Sequence, residues 1–449
     1  MTQKNSSDTI SSDTLSGIRL IFRTLRYRNY RLFFGGQIVS LVGTWMQQVA
    51  LTWLVYRMTN SAFLLGVVGF AGQFPVFILG PFAGVSADRV NRHRALLVTQ
   101  GLSMVQATIL AILTLTGAIA VWHVIVLSIL LGIINAFDIP IRQSFLLEMI
   151  ENRDDLGNAI ALNSSMFNGA RLVGPAVAGV MIAAFGEGPC FLLNAISYVA
   201  VILALAAMKI PHRQAEKSSS GVFTGFAEGF RYAFGFLPIR NILLLLALVS
   251  VMGLPYSVLM PIFARDILGG GPHTLGFLMS ATGVGALTGA LLLASRKSVR
   301  GLGRWISNAT IIFGLGLIGF SFSRVLPLSI VFLFVVGFGM MVQMASSNTI
   351  LQTVVDDDKR GRIMSFYTMA FMGMAPIGSL LAGSFASTIG APYTLLLGGV
   401  VCIVGGAYFA SQLPELRKEI RPVYERLGIV SEVSSGLQVA TQLTIPPTE

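Results

Sequence analysis

The sequence predicts an all-α integral membrane protein with twelve transmembrane helices, arranged as two six-helix bundles that repeat one another. Three observations predict this class. Hydrophobic residues make up 54% of the 449 residues and charged residues 11%, a composition that excludes a soluble globular core. Twelve apolar stretches each reach the length of about 20 residues that crosses a bilayer as a helix. Glycine occurs 48 times, as expected where small residues let helices pack closely in lipid.

The chain divides into five segments. A polar and then basic segment, 1–31, precedes the first span and lacks the pattern of a cleavable signal. The first bundle is 32–208, and a cytoplasmic linker with an amphipathic helix, 209–240, leads to the second bundle, 241–412. A cytoplasmic tail, 413–449, begins with a short amphipathic helix. The predicted spans are 32–56, 61–85, 95–118, 123–143, 157–185, 189–208, 241–264, 274–294, 305–323, 326–347, 363–387 and 392–412.

Small residues recur at matching positions in the two halves, which predicts two parallel structural repeats. An offset of 204 residues aligns the fifth span with the eleventh, and an offset of 210 aligns the first two spans with the seventh and eighth. Since glycine is frequent throughout, the even spacing of the series carries the inference rather than any single match. The aligned pairs include Gly174 with Gly378, Gly179 with Gly383, Gly43 with Gly253 and Gly66 with Gly276.

Lys and Arg residues are distributed very unevenly among the loops. With twelve spans both chain ends lie on one face, and that face collects 27 of the 31 Lys and Arg residues. The other face has Arg57, Arg265 and Arg324, and Arg171 lies within the fifth span. Because positively charged loops stay in the cytoplasm, both termini are predicted to be cytoplasmic. The net charge of +11 is therefore attributed to membrane topology and not to nucleic-acid binding.

The loop after the second span, GPFAGVSADRVNRHR (80–94), carries a specific charge pattern. A solvated hairpin with a local Asp–Arg pair is one interpretation. The pattern also resembles the loop signature of the major facilitator superfamily, although Asn91 stands where that signature usually has glycine, and Asn tolerates a left-handed turn. The resemblance implies a latch between the bundles that includes Asp88. The implied latch residues are Gly84, Asp88, Arg89, Arg92 and Arg94.

Three further segments resemble one branch of this superfamily, the drug:proton antiporters that include macrolide and enterobactin exporters. They are RYRNYRLFFGGQIVSLVGTWMQQVALTWLVYRMTNSAFLLG (27–66), DIPIRQSFLLEMI (138–150) and FAEGFRYAFGFLPIRN (226–241). The resemblance implies two six-helix bundles around a central cavity and export by alternating access. Many antiporters of this kind carry an acid in the first span, whereas this chain has none there.

Polar side chains inside the spans are candidates for the cavity wall, because polar groups in lipid are costly and often functional. In the first span four of them recur on one helical face. The alternative is that they form hydrogen bonds between helices, each worth about 0.6 kcal/mol. Arg265 and Asp266 are expected to pair with each other at the outer mouth. The cavity candidates are Gln37, Ser40, Thr44, Gln47, Asn135, Asn168, Gln343 and Ser346.

Three charged residues lie within spans and are candidates for proton coupling or gating. Asp138 and Arg142 are one helical turn apart, and they form either a static ion pair or a proton site. Arg171 costs about 3 kcal/mol to insert, so we expect it to contact Asp138, an amide of the first span or a backbone carbonyl. The neighbouring RLVGPAVAG loosely resembles the helix-packing motif of antiporters, carried by Gly174, Pro175 and Gly179.

The sequence favours a secondary exporter of an amphiphilic small molecule, such as a drug or siderophore, driven by proton entry. The alternatives are a lipid or lysolipid flippase, an uncoupled facilitator, and more remotely a membrane sensor or enzyme without transport. No phosphate-loop motif indicates ATP use, and no spacing of His, Cys or acidic residues indicates a metal or cofactor. We expect a monomer in the bacterial inner membrane whose partners are lipid, small-molecule substrate and protons, with no nucleic acid.

The orientation can be tested by thiol labelling. In a variant lacking Cys190 and Cys402, a cysteine placed at Ser219 should resist a membrane-impermeant reagent in intact cells, because the linker is predicted to be cytoplasmic. Permeabilised cells provide the positive control for reactivity. Labelling of intact cells at the permeabilised rate would reverse the predicted topology.

Overall fold

The described part of the chain is almost entirely helical. The computed structural model describes residues 23–87, 90–150, 152, 155–208, 222–296 and 298–427. Twelve helices are long and apolar enough to cross a membrane, which confirms the predicted fold class. A linker helix, Val222–Gly235, separates the sixth from the seventh. The twelve are α1 (Arg28–Thr59), α2 (Ala62–Ala87), α3 (Arg92–Leu115), α4 (Val121–Glu148), α5 (Leu156–Phe185), α6 (Gly188–Ala206), α7 (Leu237–Ile267), α8 (Pro272–Ala294), α9 (Leu302–Phe322), α10 (Leu326–Val354), α11 (Lys359–Ile389) and α12 (Ala391–Arg426).

Several helices extend beyond their predicted spans at the face that carries both chain ends, here called the basic face. α4 continues to Glu148, α10 to Val354 and α12 to Arg426, whereas their predicted spans end at residues 143, 347 and 412. α12 runs through Pro414 and Pro422 without a break, so the expected separate tail helix is its last part. Hydropathy marks where side chains leave the lipid, but the backbone hydrogen bonds of a helix do not have to end there.

Helix packing in the second bundle repeats that of the first with an offset of six helices. In the first bundle α1 packs against α5 and α6, α2 against α4, and α3 against α4 and α6. In the second bundle α7 packs against α11 and α12, α8 against α10, and α9 against α10 and α12. The two structural repeats that the series of small residues predicted are therefore present.

Two crossings of helices join the bundles, and each is built on a pair of glycines. Where α2 crosses α11, a Cβ on Gly66 would lie 2.9 Å from the Cα of Gly383. Where α5 crosses α8, a Cβ on Gly179 would lie 3.1 Å from the Cα of Gly276. The sequence offsets align Gly66 with Gly276 and Gly179 with Gly383. The internal repeat therefore relates one crossing to the other. Backbone contact of this kind is possible only where both positions lack a side chain.

Helices α7 and α11 are interrupted by π-helical turns that face each other. The turns Val249–Gly253 and Met369–Gly373 come just before Pro255 and Pro376, because a proline lacks the N–H group that a regular helix needs. In a π-helix the carbonyl oxygen of Phe371 would accept a hydrogen bond from the backbone N–H five residues later. That residue is Pro376, which has no N–H to donate. The hydroxyl of Ser250 donates a hydrogen bond of 2.5 Å to that oxygen instead.

The linker helix packs against the start of α11 at the basic face. Arg362 Nη1 lies 2.7 Å from Glu228 Oε2, and a Cβ on Gly229 would meet the Phe366 ring at 3.0 Å. The Lys359 amine lies 4.5 Å from the centroid of the Tyr232 ring. These contacts fasten the linker helix to the second bundle, and its location at the membrane interface stays a prediction.

The glycine crossings give a prediction about packing. In Gly276→Ala the new methyl group would lie 2.5 Å from the carbonyl oxygen of Pro175, so we expect about 1–3 kcal/mol of destabilisation. The matched control is Gly101→Ala, where no atom lies within 4 Å and the change should be neutral or stabilising by about 1 kcal/mol. Thermal unfolding of the two purified variants in one detergent measures both effects. Equal shifts in Tm would show that the α5–α8 crossing is not tightly packed.

Candidate functional site

Polar contacts between α1 and α7 join the two bundles at the face opposite the basic face. The Tyr56 hydroxyl donates a hydrogen bond to Asp266 Oδ2, and Arg265 Nη1 donates one to Asn60 Oδ1 at 2.6 Å. Asn60 ends α1 with a left-handed φ of 48°, which Asn tolerates better than most residues. The expectation that Arg265 and Asp266 pair with each other is wrong, because each bonds to the first bundle instead. Together with the glycine crossings, these contacts join the two bundles at this face.

The polar face predicted on α1 is mostly buried. Gln37, Ser40 and Gln47 are buried, and only Thr44 is exposed. Gln47 accepts a hydrogen bond of 2.8 Å from Asn194 on α6. It also donates one to Gln106 on α3 at 3.2 Å. The structure therefore places Gln47 in a hydrogen-bond network that joins three helices, which was the alternative to the cavity wall.

Asp138 is the centre of a buried polar cluster between α3 and α4, with 2% of its surface exposed. Its Oδ1 accepts hydrogen bonds from the Thr99 hydroxyl at 2.7 Å and from the Gln100 amide at 2.8 Å. Its Oδ2 lies 2.7 Å from Arg142 Nη2, and the Arg142 side chain is 26% exposed. The predicted pair is thus formed, with the acid buried and the cation partly accessible. Asn135 is half-buried one turn earlier on α4.

Arg171 lies on α5 where the first bundle faces the second, and it has no carboxylate partner among the described residues. Its guanidinium carbon lies 5.7 Å from the centroid of the Trp45 ring, within the range of a cation–π contact. Its Nη2 lies 4.0 Å from the sulfur of Met340 on α10. The expected contact with Asp138, an amide or a carbonyl is therefore not the one that forms. A half-buried cation faces an aromatic ring and a thioether, neither of which carries a negative charge.

The remaining cavity candidates form no hydrogen bond to the other bundle within the described residues. The Asn168 amide donates to the Ser164 carbonyl of its own helix at 2.9 Å. Gln343 and Ser346 on α10 are buried, and within the described residues neither amide atom of Gln343 nor the Ser346 hydroxyl has a hydrogen-bond partner. Gly174 and Gly179 pack closely, against Trp45 and against Gly276, and Pro175 lies in the same unbroken helix.

The loop between α2 and α3 is described only in part, because Asp88 and Arg89 lie outside the described residues, as does the environment of Gly84. Arg92 Nη1 lies 2.6 Å from Glu148 Oε1 at the end of α4, so one predicted latch residue ties α3 to α4. Asn91 has an extended backbone, with φ −68°, and its side chain accepts a hydrogen bond from the Arg94 backbone N–H at 3.0 Å. Asn91 therefore caps α3, and the left-handed turn is not used.

A second acidic centre, Asp155, fastens the basic lead-in to the start of α5. Its carboxylate lies 2.8 Å from Arg23 and 2.6 Å from Arg26, and it accepts a hydrogen bond of 2.7 Å from the Tyr27 hydroxyl. The Tyr27 hydrogen bond and the two guanidinium groups lower the pKa of Asp155. The Thr24 hydroxyl bonds to Asn158 beside it at 2.8 Å. This cluster orients the chain as it enters α1.

Sequence reasoning missed several of these partners. Thr99 and Gln100 complete the Asp138 cluster, and Gln106 and Asn194 complete the Gln47 network. Their signal was present, since all four are polar residues inside apolar spans. Trp45 gave no comparable signal, because an aromatic residue is ordinary in a transmembrane helix.

The comparisons with known proteins agree with this architecture. A family model described as "Transmembrane secretion effector" matches residues 21–426. Three curated relatives are similar over most of their length and of this chain. The staphyloferrin A transporter of Staphylococcus aureus is 28% identical over 87% of this chain and 98% of its own. The multidrug efflux pump Tap of Mycolicibacterium fortuitum is 28% identical over 83% and 93%. Macrolide efflux protein A of Streptococcus pyogenes is 24% identical over 88% and 98%.

Solved structures show the same fold at low sequence identity. A bacterial homologue of the human lysosomal transporter Spinster, in an inward-facing and unoccupied conformation, superposes with a TM-score of 0.66 at 14% identity, over 88% of this chain and 98% of that chain. A POT family transporter in complex with a thioalcohol-conjugated peptide gives 0.71 at 12% identity, over 87% and 96%. The family match, the efflux relatives and the twelve-helix fold lead to one conclusion: the chain is a major facilitator superfamily transporter and belongs to the transmembrane secretion effector family.

Proposed function

We propose that the protein exports an amphiphilic small molecule from the cytoplasm in exchange for protons. The observation that carries the proposal is the Asp138 cluster. A carboxylate that is 2% exposed has one ionic partner, Arg142, one helical turn away and partly accessible. The drug and siderophore transporters among its relatives support the substrate class. The Lys and Arg distribution supports a cytoplasmic basic face, and the contacts that join the bundles at the opposite face support uptake of cargo from the cytoplasm in this state.

Protonation of Asp138 is the proposed coupling step. A neutral carboxyl group keeps hydrogen bonds with Thr99 and Gln100 but loses its charge attraction to Arg142. Arg142 is then free to turn toward the space between the bundles. Alternating access requires the next proton to reach Asp138 from the opposite side.

The outer contacts must break in each transport cycle. The Tyr56–Asp266 and Arg265–Asn60 bonds join opposite bundles, so neither can persist when the outer entrance opens. The latch that includes Asp88 stays a prediction for the basic face. The ion pair between Arg92 and Glu148 supports this prediction, because it holds the start of α3 next to that loop.

Removal of the coupling acid is the direct test. In proteoliposomes, Asp138→Asn should abolish pH-gradient-driven accumulation of a macrolide or an amphiphilic dye, because the amide cannot carry the proton. Downhill exchange and binding of the same compound should remain. Glu415→Gln, which removes an exposed acid of α12, is the control and should transport normally.

Three outcomes contradict this assignment. Uphill transport by Asp138→Asn at the wild-type rate would show that another group couples transport to protons. Loss of binding as well as accumulation would make the Asp138–Arg142 pair structural. Downhill exchange by the wild-type protein with no response to a pH gradient would favour an uncoupled facilitator.

Arg171 offers a second test. A cation that is kept inside the membrane for its function should lower the stability of the folded protein. Arg171→Gln should raise the Tm of the purified protein or leave it unchanged, since inserting an arginine costs about 3 kcal/mol on insertion scales. The same variant should reduce transport at least tenfold if the cation contacts the cargo between Trp45 and Met340. Arg324→Gln, at the opposite face, is the charge-matched control. A lower Tm with normal transport would assign Arg171 a role in folding instead.

A further inference from the structure

A cavity of about 250 Å³ lies at the basic face of the second bundle, away from the space between the bundles. Its walls are the start of α7, the loop and first turn that begin α9, and the extended end of α12. Neither the Asp138 cluster nor Arg171 contributes to it. The proposed export cycle therefore does not account for this cavity.

The cavity is apolar inside and cationic at its mouth. Ile242, Phe409 and Leu413 are among the residues that line the interior. The mouth carries three arginines that converge from two helices. Arg417 and Arg421 lie one turn apart on α12, and Arg304 lies in the first turn of α9.

The positive charge at the mouth is largely uncompensated. Arg421 Nε lies 2.8 Å from Glu425 Oε1, so this arginine is partly neutralised. Arg304 and Arg417 are exposed, and neither has a carboxylate partner within the described residues. Two cations thus converge on an apolar cavity, and no carboxylate of the described part of the chain forms an ion pair with either.

The depth of the cavity is that of the lipid headgroups. α12 has 36 residues and is about 54 Å long at 1.5 Å per residue, whereas the hydrocarbon core is about 30 Å thick. Counted from its start at Ala391, the helix leaves the hydrocarbon before Leu413, so Arg417 and Arg421 lie among headgroups. Trp305 follows Arg304 in the chain, and its ring centroid lies 4.7 Å from the guanidinium carbon of Arg296; aromatic residues of this kind are enriched at membrane interfaces.

We propose that this cavity is a binding site for one acidic phospholipid of the cytoplasmic leaflet. Arg304 and Arg417 hold the phosphate, and the upper part of an acyl chain fills the apolar interior between α9 and α12. A soluble anion would use the arginines but leave the interior empty. A zwitterionic lipid would fill the interior but bring a cation to the mouth. Basic pockets between transmembrane helices on the cytoplasmic side are the type of site at which acidic headgroups bind.

Native mass spectrometry of the full-length purified protein can test the site. Dioleoyl phosphatidylglycerol and dioleoyl phosphatidylcholine are added in turn in the same detergent, and the fraction of protein that retains one lipid is measured. Wild-type protein should retain the glycerol lipid preferentially. Arg417→Gln should lower that retention about fivefold, the effect of one basic residue on an acidic headgroup. Lys418→Gln removes the same charge from the next position, outside the cavity lining, and should stay within twofold of wild type.

A second variant tests the apolar interior. Leu413→Trp fills the cavity without changing the charge, so it should lower retention of the acidic lipid while the arginines remain. A chain that ends after residue 427 tests whether the protein's own tail occupies the site. Each of four results would overturn the proposal: equal retention of both lipids, equal losses in Arg417→Gln and Lys418→Gln, wild-type retention in Leu413→Trp, or higher retention after removal of the tail.

Discussion

The backbone contact between paired glycines is the constraint on which the arrangement of the bundles depends. Gly66 meets Gly383, and Gly179 meets Gly276, so the two bundles touch where neither helix has a side chain. In lipid no hydrophobic force draws helices together, and close van der Waals contact has to supply the attraction. Because the two crossings are equivalent under the internal repeat, the bundles meet along two matched seams. The hydrogen bonds of Tyr56 and Arg265 then add directional contacts between two bundle surfaces whose shapes already fit each other.

The charged groups show that the two bundles, alike in packing, differ in chemistry. The first bundle contains the buried Asp138–Arg142 pair and the Gln47 network, and its unpartnered buried atoms among the described residues are single oxygens of Gln37, Gln100 and Ser128. At the matching depth of the second bundle, Gln343 and Ser346 are buried without hydrogen-bond partners among the described residues. An unpaired buried amide is costly and favours any rearrangement that supplies a partner. The proposed division is that the first bundle handles the proton and the second adjusts its packing.

Much of the fold could be predicted, because hydropathy, small-residue spacing and the Lys and Arg distribution each report on a property that one helix shows by itself. The site was harder to predict, because it depends on which neighbour each helical face meets. The spacing placed Gln47 on a polar face but could not show that this face meets Asn194. The spacing also predicted that Asp138 pairs with Arg142 on the same helix, but it could not show that Asp138 meets Thr99 on another helix. Arg171 was expected to need an acid or a carbonyl, and an aromatic ring took that place.

The π-turns of α7 and α11 give the second bundle a mechanical property that the first lacks. The equivalent helices of the first bundle, α1 and α5, are unbroken, and α5 stays regular even across Pro175. A continuous helix is stiff, whereas one with a widened turn can bend there at little cost in hydrogen bonds. The turns Val249–Gly253 and Met369–Gly373 lie side by side, and the hydrogen bond from Ser250 to the Phe371 carbonyl oxygen connects them. We therefore expect the second bundle to bend at these turns when the pathway changes sides, while the first bundle stays stiff.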